Sequence, residues 1–206
     1  MKLFSSAVGE IIKFKNKDKP IVLRPALQYI KENIISKGMI GVEVGVQRGI
    51  NAKAILQNLP IEKLYLVDPY VVYDEYTEWV DSPVWSLENI NEIYQDAVSR
   101  LKMYTSQIEF VRLYSSVASN VIPNNLDFVY IDGNHNYEYV KQDMECWYPK
   151  IKPGGVICGH DLQYPGVTKA FVELAYGKQE VFCGHRSFDC NGVSHCLQPD
   201  WWIVKE

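Results

Sequence analysis

The stretch that decides the fold is Met39-Ile40-Gly41-Val42-Glu43-Val44-Gly45-Val46-Gln47-Arg48-Gly49. Its first half is rich in β-branched residues, which is typical of a strand buried on both faces of a parallel sheet. Its second half is a glycine turn, where Gly45 and Gly49 permit a tight bend and let the backbone approach a ligand. A buried strand that ends in such a turn predicts a ligand site at the carboxyl edge of an α/β sheet.

On both sides of this stretch, short apolar runs alternate with amphipathic segments, which predicts helices packed on a mostly parallel sheet. Strands are expected at 39–46, 63–68, 108–113, 126–131 and 155–158, followed by a terminal hairpin formed by 180–183 and 201–204. The fold class is therefore α/β, a Rossmann-like doubly wound, mostly parallel seven-stranded sheet with a C-terminal antiparallel hairpin.

The N-terminal part, residues 1–38, is predicted to be a helical segment that packs on the core. Its helix is expected over 25–37, with Pro25 at the first helical position and Gly38 as a left-handed stop. Residues 39–206 form the ligand-binding domain. At a length of 206 residues, the two parts are expected to make a single domain overall.

Composition limits the partners. The formal net charge is −4, and the segment 64–99 contains acidic residues but no lysine or arginine, which disfavours a polyanionic substrate. We therefore expect no nucleic acid and no membrane partner, while a homo-oligomer remains open. Five cysteines without a C-x-x-C pair, and an N-terminus without a signal-peptide core, predict a cytoplasmic protein.

The residues around the turn narrow the ligand further. A dinucleotide fingerprint needs a second glycine so that pyrophosphate can approach, and Gln47 stands at that position. A carboxylate at Glu43 would repel pyrophosphate but suits a cofactor with a cationic amino-acid end. Asp68 follows the next strand, at an offset that suits an acceptor for ribose hydroxyls. The pattern favours a sulfonium nucleoside cofactor over a nicotinamide dinucleotide, although a βα turn without a ligand is the structural alternative.

The segment 43–49 resembles motif I of class I S-adenosylmethionine-dependent methyltransferases. Closer still is the resemblance to a subgroup of small-molecule O-methyltransferases with an Ile-Asp-Gly-x-His signature, here 131–135, and a later Gly-His-Asp, here 159–161. The resemblance covers about residues 39 to 175. It implies S-adenosylmethionine as cofactor, held by Glu43, Gly45, Gly49, Asp68, Ser115 and Ser116. It also implies a small-molecule acceptor, such as the hydroxyl of a sugar or secondary metabolite.

Three interpretations of the residues after strands four and five stay open. In the first, Asp132 and Asp161, with His160, hold Mg²⁺, which lowers the pKa of the acceptor hydroxyl. The resembling metal-dependent enzymes carry an acid where this chain has Asn134. In the second, no metal is needed and His135 is the general base, with Asp132 as its catalytic partner. In the third, the two acids cap helices and His160 packs in the core.

Two further segments of the sequence, 70–85 and 183–196, each carry a hypothesis. The aromatic segment 70–85 is either a wall of the acceptor site or a surface loop. Cysteine and histidine side chains between 183 and 196 match a structural zinc site poorly, because the paired-ligand spacing is missing, and reduced thiols are the favoured interpretation. For the whole chain, the alternatives to methyl transfer are a nicotinamide-dependent oxidoreductase on a related fold and a non-catalytic cofactor-binding subunit.

Overall fold

The computed structural model describes residues 23–34, 36–72, 87–184, 187–190, 193–196 and 199–206. Within them the helices are α1 (Pro25–Asn33), α2 (Ile50–Asn58), α3 (Leu87–Leu101), α4 (Ser115–Val121), α5 (Tyr137–Trp147) and α6 (Pro165–Ala175). The strands are β1 (Met39–Val44), β2 (Ile61–Val67), β3 (Ile108–Val111), β4 (Leu126–Ile131), β5 (Ile151–Gly159), β6 (Val181–Gly184), β7 (Ser187–Cys190), β8 (Val193–Cys196) and β9 (Asp200–Val204).

Seven of these strands form one sheet in the order β3-β2-β1-β4-β5-β9-β6. The five strands from β3 to β5 are parallel, whereas β9 runs antiparallel to both β5 and β6. The predicted doubly wound sheet with its C-terminal antiparallel hairpin is confirmed. Strand order reverses between β1 and β4, so the crevice where such folds bind ligands lies beyond the ends of these two strands.

Each face of the sheet carries its own apolar core, because successive side chains of a strand point to opposite faces. On one face Phe128 and Tyr130 of β4 pack with α1, α2 and α3. On the other, Val129 and Ile131 pack with α4, α5 and α6. All four side chains are at most 4% exposed, which explains why β4 is apolar without a break from Phe128 to Ile131 rather than alternating.

Close packing between β1 and β4 depends on Gly41. A Cβ atom added to Gly41 would lie 2.2 Å from Cζ of Phe128, so the aromatic ring occupies the space that any other side chain would need. β1 and β4 pair in parallel, with Gly41 opposite Phe128 and Val44 opposite Ile131. This register brings the glycine turn after β1 next to the residues that follow β4.

Two local predictions were wrong. Helix α1 ends at Asn33 and not near Lys37, because Ile34 already has extended dihedrals of φ −96° and ψ 107°. Gly38 is not a left-handed stop, because its φ is not positive. The connection between β6 and β9 contains the β7–β8 hairpin, which forms a second sheet.

Helix α1 packs against strand β9. Its backbone amide at Ala26 donates to Oδ2 of Asp200 at 3.0 Å, and the ring of Tyr29 lies 5.5 Å from that of Trp202. Residues 1–22 lie outside the described residues. None of the helices in the described part of the chain combines the length and apolarity that a membrane-spanning helix requires.

Candidate active site

The glycine turn adopts a backbone that few other residues allow. Gly45 and Gly49 have φ values of +85° and +70°, and Gln47 between them is also left-handed at φ 48°. The Gly45 amide donates to the carbonyl of Val67 at 2.9 Å, and the Asp132 amide donates to the carbonyl of Val44 at 2.8 Å. The turn is therefore held between the ends of β2 and β4, and it lines a cavity of about 570 Å³, within the range of small-molecule sites.

Asp68 fixes the shape of this turn. One carboxylate oxygen, Oδ2, accepts the amides of Val46 at 3.0 Å and Gln47 at 2.9 Å, and Oδ1 accepts the amide of Tyr70 at 2.8 Å. Burial raises the pKa of Asp68, and the three backbone hydrogen bonds oppose that rise. A carboxylate has about four acceptor sites, so one remains for the ribose hydroxyl that the sequence predicts.

Glu43 presents an unpartnered oxygen in the cavity wall. The residue is 1% exposed, and its Oε1 accepts a hydrogen bond from Nδ2 of Asn51 at 2.9 Å. Its Oε2 has no hydrogen-bond partner among the described residues. Burial raises the pKa of Glu43 to about 8. Because an unpaired buried carboxyl oxygen is costly, the site is suited to a ligand that brings a cationic donor.

Ser115 and Ser116 lie at the start of α4 and line the same cavity. Oγ of Ser115 accepts a hydrogen bond from Nε1 of Trp147 at 2.7 Å. Asp143 of α5 also lines the cavity, and burial raises its pKa to about 7, opposed by a hydrogen bond from Ser115. Sequence reasoning missed Asp143, although an acid inside the apolar stripe of α5 was the signal that could have found it.

Beyond β4 and β5, three side chains converge on the cavity. One nitrogen of His135 and one carboxylate oxygen each of Asp132 and Asp161 all lie within 4.8 Å of one another. His135 Nε2 lies 2.8 Å from Oδ2 of Asp161, and its ring stacks on Tyr164 at 4.5 Å between centroids. Two oxygen donors and an imidazole suit a hard or borderline divalent cation.

Asp161 is held in an unusual backbone conformation. Its φ is 62°, a region that costs a non-glycine residue free energy and is frequent at functional sites. Burial alone would raise the pKa of its carboxyl, but hydrogen bonds from His135, His160 and Gln163 outweigh burial and lower it. The carboxylate is thus kept ionised at the edge of the cavity.

His160 differs from Asp132, His135 and Asp161, because the cavity wall includes these three residues but neither His160 nor Gly49. Its Nδ1 lies 3.1 Å from Oδ1 of Asp161 and 3.7 Å from Oδ1 of Asp132. The structure therefore groups His135, and not His160, with the two acids on the cavity side. The capping alternative finds no support, since α5 and α6 begin without a side-chain cap hydrogen bond.

Arg24, which precedes α1, is a further cavity residue that the sequence did not indicate. Its Nη1 donates to Oδ2 of Asp132 at 2.7 Å and to the hydroxyl of Tyr130 at 3.0 Å. Burial raises the pKa of Asp132, and the charge of Arg24 opposes that rise. No local pattern links residues that are 108 positions apart in the chain.

The remaining predictions fall largely outside the described residues. The aromatic segment beyond Val72 and the side chains of residues 185–198 are not among those that the structure describes. Cys146, Cys158 and Cys183 are described, and all three are free thiols. The reduced thiols expected between 183 and 196 and the two alternatives for the segment 70–85, an acceptor wall or a surface loop, stay predictions.

Comparisons with solved structures show which known folds this one is similar to. The fold is similar to precorrin-6y C5,15-methyltransferase of Geobacter metallireducens, with a TM-score of 0.60, 14% identity and coverage of 91% of each chain. It is also similar to an S-adenosylmethionine-dependent O-methyltransferase of Thermotoga maritima, with a TM-score of 0.56, 13% identity and coverage of 93% of this chain and 69% of that one. At such identities the likeness shows the fold alone.

The sequence profile of the family described as "Methyltransferase domain" matches residues 42–162, which span the glycine turn, Asp68 and the acids after β4 and β5. The chain belongs to this family of methyltransferase domains. The nicotinamide alternative is thereby set aside.

The names of the related proteins do not describe a substrate. An uncharacterised protein of Acanthamoeba polyphaga mimivirus is 24% identical over 154 residues, which cover 68% of this chain and 63% of that protein. An uncharacterised protein of Sinorhizobium fredii is 30% identical over 92 residues, which cover 41% of this chain and 10% of that protein. The chain thus spans less than two thirds of the length of either relative.

Proposed function

We propose that this methyltransferase acts on a hydroxyl oxygen of a small molecule, such as a sugar or a secondary metabolite, with help from a divalent cation. The observation that carries the proposal is the cluster of Asp132, His135 and Asp161, whose donor atoms lie within 4.8 Å of one another in the cavity wall. Cationic side chains are scarce in that wall, where Arg24 and Arg48 are the two arginines among the described residues. A nucleic acid backbone would need more of them.

The cofactor-binding residues fit S-adenosylmethionine. The unpartnered Oε2 of buried Glu43 meets the need of its cationic amino-acid end, and the Asp68 carboxylate is placed to accept from ribose. When bound, S-adenosylmethionine supplies an electrophilic methyl group, whose bond to sulfur breaks as the new bond to oxygen forms. The protein must hold the acceptor oxygen in line and accept its proton.

The cluster can support that proton transfer in two ways. As ligands, Asp132, His135 and Asp161 would hold an ion of the Mg²⁺ type, which lowers the pKa of a hydroxyl that it binds. Alternatively, the contact between His135 Nε2 and Asp161 at 2.8 Å orients the ring so that its other nitrogen can take the proton directly. Tyr164, stacked on the imidazole, restrains the ring in both cases.

The test is methyl transfer from S-adenosylmethionine to a panel of sugar and phenolic acceptors, followed by mass spectrometry of the methylated product. We expect turnover that excess EDTA abolishes and Mg²⁺ restores. Asp132→Asn and Asp161→Asn should each lower turnover about 100-fold, whereas Glu173→Gln, which changes an acid at the surface of α6, should not lower it.

Full activity in excess EDTA would remove the cation from the proposal and leave His135 as the base. Transfer to nitrogen or carbon acceptors with none to oxygen would overturn the hydroxyl assignment.

A further inference from the structure

Arg24 is bound to the same carboxylate that the proposed function assigns to a divalent cation. Its Nη1 lies 2.7 Å from Oδ2 of Asp132 and 3.0 Å from the hydroxyl of Tyr130, and its guanidinium lies over the Tyr130 ring at 5.6 Å from the centroid. An arginine side chain is charged at every physiological pH. A permanent positive charge therefore stands beside Asp132.

The position of Arg24 is fixed from several sides. The hydroxyl of Tyr130 donates to Oδ1 of Asp200 at 3.0 Å, and the amide of Ala26 donates to Oδ2 of the same carboxylate at 3.0 Å. Asp200 thus holds the first turn of α1 and, through Tyr130, the guanidinium of Arg24. The charge cannot leave Asp132 without breaking these contacts.

The second arginine of the cavity wall provides a contrast. Arg48 forms its ion pair with Asp96, an exposed residue of α3 that is not part of the cluster. Arg24 is the arginine in direct contact with a cluster residue among those that the structure describes. Its side chain is 28% exposed and that of Asp132 is 18% exposed, so solvent screens the two charges only in part.

We propose that Arg24 is a built-in cation of the cluster, which shares Asp132 with a bound divalent ion and lowers the affinity of the cluster for that ion. Two effects act in the same direction. The hydrogen bond from Arg24 occupies part of the acceptor capacity of Oδ2, and the positive charge repels a second cation nearby. The ion is consequently held weakly and exchanges with solvent. This inference rests on the assignment of Asp132, His135 and Asp161 as cation ligands.

The experiment measures cation affinity and not turnover. Mn²⁺ is titrated into the full chain, saturated with S-adenosylhomocysteine, and free Mn²⁺ is followed by its electron paramagnetic resonance signal. Arg24→Gln and Arg24→Met remove the charge, and the methionine keeps an aliphatic stem against Tyr130. Arg24→Lys keeps the charge. Arg48→Gln removes the other arginine of the cavity wall and is the matched control.

We expect both uncharged variants to bind Mn²⁺ at least about tenfold more tightly than the unmodified chain, as the repulsion between nearby like charges requires. Arg24→Lys and Arg48→Gln should stay within about threefold of the unmodified chain, because neither removes the charge beside Asp132.

Equal or weaker Mn²⁺ binding by the uncharged variants would overturn the inference, as would the absence of binding in every protein. Loss of the folded state in both uncharged variants would also overturn it, because Arg24 would then be a structural residue. If the unmodified chain bound no Mn²⁺ while the uncharged variants did, the inference would stand and cation-assisted transfer would fail.

Discussion

A Cβ atom placed on Gly45 would lie 2.1 Å from the carbonyl oxygen of Asp132. The glycine turn after β1 and the backbone that follows β4 at Asp132 therefore touch each other. The carbonyl oxygen of Asp132 is a backbone atom, so it cannot move aside as the end of a flexible side chain could. The two halves of the active site are held at a fixed separation by this contact.

Gly45→Ala should therefore destabilise the protein by more than about 3 kcal/mol, because overpacking adds to the strain of a positive φ. Gly177→Ala is the matched control, since Gly177 has a φ of +75° and nothing within 4 Å of its added Cβ. It should cost only about 1–2 kcal/mol, the price of the left-handed backbone alone. Thermal unfolding measures the stability of both variants, and a titration with S-adenosylhomocysteine measures their cofactor affinity. Equal losses in the two variants would contradict the backbone contact.

The pKa of Glu43 predicts how the stability of the cofactor-free protein depends on pH. Burial raises it from an ordinary 4.5 to about 8, so folding favours the protonated carboxyl. The contribution of this carboxyl to the free energy of unfolding is fully present below pH 4.5 and is lost as pH rises through 8. Glu43→Gln has no such loss and should exceed the unmodified chain in stability at pH 8 by an amount on the order of a few kcal/mol.

The control for this comparison is pH 5, where the protonated glutamate and the glutamine are nearly isosteric and the two proteins should unfold at similar temperatures. Glu109→Gln, a change at an exposed residue of β3, should differ in stability from the unmodified chain by the same amount at both pH values. A Glu43→Gln stability difference independent of pH would show that Glu43 does not titrate in this range.

Asp68 should be needed for both the turn and the cofactor. Asp68→Asn keeps one carbonyl oxygen but turns an amide donor toward backbone amides that now lack an acceptor. We expect a loss of about 2 kcal/mol in stability and at least about tenfold in S-adenosylhomocysteine affinity, measured by calorimetry. Tyr70→Phe, which removes only the hydroxyl bond to the Gln47 carbonyl, should cost less on both scales. The reverse order would argue against Asp68 as the organiser of the turn.

The contact between His135 and Asp161 predicts a loss of turnover without a loss of cofactor binding. Asp161→Asn should lower the rate of methyl transfer about 100-fold, the scale of one proton-transfer group. Asparagine is chosen because it tolerates the left-handed φ of 62° better than most residues do. Unchanged S-adenosylhomocysteine affinity is the internal control.

The variant His135→Gln distinguishes the two chemical roles. If His135 is a cation ligand, turnover and Mn²⁺ binding should fall together. If it is the base, turnover should fall while Mn²⁺ binding persists. Full turnover in both His135→Gln and Asp161→Asn would contradict either role.

Much of the fold could be predicted from the sequence because its signals are local. Apolar runs such as 128–131 indicated buried parallel strands, and Pro25 marked the start of α1 correctly. The end of α1 was placed too late, because the residues after Asn33 have helical propensity but the chain must turn extended to enter β1. The β7–β8 hairpin was missed, because strands of four residues are too short for an alternating pattern to stand out.

The candidate site could be predicted in part, for the same reason. Residues that follow parallel strands meet at one edge of a sheet, so Glu43, Asp68, Asp132 and Asp161 could be assigned to one cavity from their positions alone. The choice between His135 and His160 could not be made that way. It depends on the direction in which each side chain leaves the loop after its strand, and only the packed loops set that direction.

The sequence by itself determined the α/β class, the glycine turn and the type of cofactor, because these follow from periodicity, glycine positions and the chemistry of nearby acids. Only the tertiary structure decided which side chains meet in the cavity beyond the ends of β4 and β5. Arg24 and Asp132 are 108 positions apart, and their pairing exists because α1 packs over the ends of β4 and β9. Such contacts arise from packing between distant segments, which no local pattern encodes.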